Sequence, residues 1–105
     1  MMVDGMGPWH PDLAPRLIPF FGHVAIFESG DSWHAYGLDR TIPQSDWPAW
    51  LGSMLLTTER QGMPIIDVRW VGHALRQGSG YLRWSQHPRT GAYPQLVGIF
   101  GPENT

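Results

Sequence analysis

Arg69, His73, Tyr81, Arg83 and His87 are the side chains of this sequence best suited to hold a ligand. Arginine carries a planar fork of N–H donors that meets phosphate or carboxylate oxygens two at a time. Tyrosine and histidine add flat rings on which bases or other rings can stack. All five lie in residues 60–92, a stretch holding five of the seven arginines (Arg60, Arg69, Arg76, Arg83, Arg89) against the lone acid Asp67. Residues 1–59 are balanced the other way, with Arg16 and Arg40 against seven acids. The chain has no lysine, and its net charge is −2. That charge argues against sequence-blind nucleic-acid binding by bulk attraction, so any such contact must come from a local patch.

The tryptophans point to contact surfaces as well. Six in 105 residues are more than a small core readily hides, because each aromatic buries on the order of 150–250 Å². Trp33, at the start of an expected strand, and Trp9, in a proline-rich segment, are the two expected at the surface, where Trp and Arg anchor interfaces. Trp47 and Trp50 fall on the apolar stripe of an expected helix and are assigned to the core.

Other chemistries find little support in the residue pattern. Gln77-Gly78-Ser79-Gly80 lacks the Lys-Ser/Thr of a phosphate loop and sits between expected strands, so it reads as a hairpin connection. The histidines His10, His23, His34, His73 and His87 are scattered, and no cysteine is present, so no metal site is expected. No serine stands in a strand-to-helix elbow, and Glu28 and Asp31 simply flank a turn. No catalytic residue and no cofactor are expected.

The elements that would position the arginines follow from patterning. Residues 1–22, with Pro8, Pro11, Pro15 and Pro19, are expected to form an extended N-terminal arm. Residues 23–105 are expected to form a single domain. His23–Glu28 and Ser32–Leu38 flank Ser29-Gly30-Asp31 as a β-hairpin. Ser45 as N-cap, an apolar stripe through Trp47, Trp50, Leu51, Met54, Leu55 and Thr58, and the Gly62/Pro64 stop predict a helix over 45–61. A second hairpin is predicted, with arms Ile65–Leu75 and Tyr81–His87 and loop Arg76–Gly80. Alternation then puts Ile66, Val68, Trp70, Leu82 and Trp84 on the core side. Arg69, Val71, His73, Tyr81, Arg83 and His87 fall on the solvent side, with His73 facing Arg83 and Arg69 facing His87. Gln95–Phe100 is the last strand. The result is an α+β fold of β-β-α-β-β-β order: a small, mainly antiparallel sheet with one helix packed on one face.

The functional expectation is a small non-enzymatic protein-binding module. It would be an inhibitor, antitoxin-like or adaptor protein, of the kind phages and mobile elements encode, contacting its partner through the Arg/His/Tyr face and Trp33. The alternative is a single-stranded nucleic-acid-binding protein using the same face, and the third reading is a small enzyme with a His/Arg/Tyr site. A cytoplasmic location fits the absence of cysteine, no membrane span is expected, and self-association through tryptophan is a variant.

Overall fold

The computed structural model describes residues 2–29, 31–39, 42–43, 45–77 and 94–104. The fold is α+β. Four antiparallel strands, β1 (Met2–Asp4), β2 (Val24–Ser29), β3 (Ser32–Gly37) and β6 (Gln95–Phe100), form a sheet in the order β1-β3-β2-β6. A two-stranded hairpin, β4 (Glu59–Arg60) and β5 (Met63–Pro64), and three helices complete it: α1 (Ala14–Phe21), α2 (Trp47–Thr57) and α3 (Val68–Gln77).

Period-two alternation separates the two faces of the sheet. Val3, Ala35 and Ile26 lie opposite one another across β1, β3 and β2, and all three are fully buried. The helices supply Leu17, Phe21, Leu51, Met54, Val71 and Ala74 to the same cluster, so all three cover one face. The other face carries Asp4, His34, Phe27 and Tyr36, with Phe27 and Tyr36 ring to ring at 5.5 Å.

The β2–β3 hairpin and β6 stand where residue patterning puts them. The helix expected at 45–61 is shorter at both ends. Asp46, not Ser45, occupies the N-cap, with no side-chain capping bond. Residues 59–64 turn back instead, through Gln61 and Gly62, both at positive φ (55° and 80°). That pair of left-handed residues makes a two-residue hairpin turn of the type that suits twisted strands.

Two expectations are overturned. The N-terminal segment is not an extended arm: β1 pairs with β3, and Ala14–Phe21 is helical despite Pro19 inside it. An interior proline costs about 3 kcal/mol. The burial of Ala14, Leu17, Ile18 and Phe21 at helical spacing offsets it, each large side chain contributing roughly 1.5–3 kcal/mol. Gly22 ends the helix at φ 72°, donating its N–H to the Ile18 carbonyl at 2.8 Å.

The second correction concerns residues 65–75, expected as a strand. Only Ile66 keeps a strand-like pairing, an antiparallel bridge with Gly5. Helix α3 then begins at Val68. Asp67 caps it, its Oδ1 accepting from Arg69 N at 2.9 Å and Trp70 N at 3.3 Å. An aspartate at this position satisfies N–H groups that have no partner within the helix. Val71, placed on the solvent side by strand alternation, is buried, and Val68, placed on the core side, is exposed.

Candidate functional site

Helix α3 resolves the fate of the expected binding face. Arg69, His73 and Arg76 follow one another at i, i+4 and i+7, which places them on one stripe. All three are exposed. Val71 and Ala74 on the opposite side are buried, and Trp70 packs partly against the core. Arg69 and His73 therefore share a solvent face as expected, but on a helix, and Arg76, assigned to a loop, joins them. Arg76 also stands in the last turn, where a cation suits the helix dipole. Tyr81, Arg83 and His87 lie outside the described residues, as do Leu82, Trp84 and the pairings of His73 with Arg83 and Arg69 with His87.

Trp33 is no contact residue. It is completely buried, because it alternates onto the core face together with Ala35. Gly5 crosses directly over its ring and donates its N–H to the Trp33 carbonyl at 2.7 Å. A Cβ on Gly5 would overlap the indole, so only glycine fits there.

A cleft of about 400 Å³ opens between the loop following β1 and the β4–β5 hairpin. Its walls include Met6, Trp9, Leu13 and Met63, and its polar groups are His10, Arg60 and Gln61. Asp12 holds the polar edge together: Arg60 Nε donates to its Oδ2 at 2.9 Å, and His10 Nδ1 lies 3.0 Å from its Oδ1. The Arg60 guanidinium holds the Asp12 carboxyl below the usual carboxylate range. Sequence reading missed this cleft because its two walls are some fifty residues apart in the chain.

Two histidine–carboxylate groupings complete the polar features. On the sheet face away from the helices, His34 Nε2 lies 3.5 Å from Asp4 Oδ1. Burial first, and the nearby Asp67 charge second, raise the Asp4 carboxyl from 3.8 to about 7. At the other end of the sheet, His23 stands between two acids, with Nδ1 2.6 Å from Asp39 Oδ2 and Nε2 2.7 Å from Glu103 Oε1. Hydrogen bonds to Asp39, and then to Glu103, raise the His23 imidazole above its usual value. The two acids occupy different ring nitrogens, and among the described residues no three His, Cys, Asp or Glu side chains gather as metal ligands would.

Fold and site together define a small α+β domain with a cationic stripe on one helix and a cleft beside a short hairpin. A family model, AEP-like (archaeo-eukaryotic primase 1D-like), matches residues 13–95. The chain belongs to this AEP-like family. No curated protein and no solved structure matches it. Among the described residues no helix is long and apolar enough to cross a membrane.

Proposed function

We propose that this protein binds single-stranded nucleic acid through the Arg69–His73–Arg76 stripe of α3, as a binding protein with no reaction of its own. The observation that carries the reading is the stripe itself. Two arginines and a histidine project from the side of a short helix opposite its buried side. Arginine is the residue that meets phosphate oxygens bidentately. The primase in the family's name supports nucleic acid as the anionic partner. A chain of net charge −2 must use such a local patch if it is to hold a polyanion at all.

Anisotropy of a labelled single-stranded oligonucleotide tests this. Wild-type affinity falls steeply with salt. Arg69→Ala with Arg76→Ala lowers the slope of log K against log salt by about 1.4, at about 0.7 for each phosphate no longer neutralised. No anisotropy change at low salt, or an unchanged slope in the double variant, contradicts the proposal.

A second reading rests on β6. Leu96, Val97 and Ile99 are exposed on that strand, and a run of exposed apolar strand residues favours contact with another protein chain. The partner would be a second copy or a different protein. A monomer at all concentrations in light scattering, together with no partner recovered by affinity capture, would remove this reading.

A further inference from the structure

The cleft between the β1 loop and the β4–β5 hairpin draws none of its lining from α3, and nothing in the nucleic-acid reading requires it. Its volume of about 400 Å³ is near the lower end of small-molecule sites, which run roughly 300–1,000 Å³. That size suits one nucleoside-sized group rather than a folded partner.

The walls suit a flat ring. Trp9 is fixed by Trp33 edge-on at 5.4 Å and by Phe100 at 5.6 Å, so its indole is held in place before any ligand arrives. Met6 and Met63 are 42% and 65% exposed at the same cleft. Thioethers are polarizable and flexible and make favourable contacts with aromatic rings. Two exposed methionines beside a fixed tryptophan form a wall that can adapt and a wall that cannot.

The polar groups choose among rings. Arg60 donates only its Nε to Asp12, so four of the five guanidinium N–H groups remain for a ligand. An arginine has no acceptor to give, and it therefore selects a ring edge with two adjacent acceptors. Among the purines, whose larger ring system covers more of a tryptophan face, that edge is the O6/N7 edge of guanine. Arg60 stands directly before the two-residue turn through Gln61 and Gly62, paired across it with Met63.

We infer that this cleft holds one unpaired guanine base, seated between Trp9 and the Met6/Met63 pair, with Arg60 donating to O6 and N7. The inference rests on the nucleic-acid reading and adds a base preference to it. The base can be part of a strand or belong to a free nucleotide, since the same ring edge is offered by both.

The test compares a labelled oligo-dT with the same strand carrying a single central dG. Wild type binds the dG strand about tenfold tighter, the discrimination expected of one bidentate contact. Arg60→Ala and Met63→Ala each bring the affinity ratio towards one, with unchanged circular dichroism as the check on folding. Arg69→Ala with Arg76→Ala weakens both strands and leaves the ratio intact. Guanosine monophosphate at millimolar concentration that lowers the ratio shows a site open to free nucleotide. A ratio it leaves intact assigns the occupant to the strand. Equal binding of both strands by wild type, or a preference that survives Arg60→Ala, overturns the cleft inference alone. Wild type that binds neither strand overturns the nucleic-acid reading with it.

Discussion

The Asp4–His34 and His23–Asp39–Glu103 groupings use the same residue types, yet the group pushed upward is the carboxyl in the first and the imidazole in the second. At the first, burial drives a carboxyl on the sheet up to about 7. At the second, two exposed carboxylates flank a histidine and drive the imidazole up. Desolvation penalises any charge, whereas a nearby opposite charge favours one. Burial therefore lifts the Asp4 carboxyl, whereas two neighbouring carboxylates lift the His23 imidazole. Glycines shape both places. Gly5, next to Asp4, yields its side-chain space to the Trp33 ring. Gly101 and Gly22 yield theirs to the His23 ring and the Asp39 carboxylate, each of which a Cβ would strike.

The largest effect is expected at the buried place. Gly5→Ala drives a methyl into the Trp33 indole, which has no room to move in the core, and costs on the order of 3 kcal/mol of stability in urea unfolding. At the exposed place the loss is smaller. Gly22→Ala forces a side chain onto φ 72° and against Asp39, costing on the order of 2 kcal/mol. If both changes cost the same, the contrast between the buried and the exposed place is wrong.

The pH dependence sharpens the contrast. Because the folded state raises Asp4 from 3.8 to about 7, it binds the proton more tightly than the unfolded chain, and stability falls as pH climbs through that interval. Asp4→Asn removes the penalty. The variant is expected to match wild type near pH 4 and to be more stable at pH 8, by roughly 1–2 kcal/mol after allowance for solvent screening. His23 follows with a higher window. Its imidazolium contribution is complete below the ordinary 6.5 and is lost as pH rises through the raised value. An NMR titration is expected to place the His23 midpoint above 6.5, and Asp39→Asn is expected to lower it more than Glu103→Gln. That is the smallest effect, read as a midpoint and not as unfolding.

Much of the sheet was legible from residue types. The alternation of Trp33 and Ala35 with His34 and Tyr36 marks one face of β3 as core, and applied to Trp33 it would have placed that ring inside. Arg69 and His73 stayed together on the solvent side through a change of element, since a spacing of four is even along a strand and one turn along a helix. Val68 and Val71 are the residues that distinguish the two readings. Asp67 ahead of Val71 and Ala74, with Arg76 in the last turn, is a helix signal that the β-forming Val and Trp residues masked. Pro19 misled in the same way at α1, where packing outweighs local preference. The cleft could not be read locally, because Met6, Trp9 and Leu13 meet Arg60 and Met63 only through tertiary contact. Nor could the Asp4 shift, which comes first from burial and then from Asp67, whose backbone N–H reaches the Asp4 carbonyl at 2.9 Å.

The central claim is that the outward stripe of α3 meets a polyanion. Salt-dependent binding of a labelled single strand to wild type and to the Arg69→Ala/Arg76→Ala variant tests it most directly. The expected result is wild-type affinity that falls steeply between about 50 and 200 mM salt, with the variant's slope shallower by about 1.4. Wild-type and variant curves that superimpose, or wild type that leaves the strand unbound at about 50 mM salt, would contradict it.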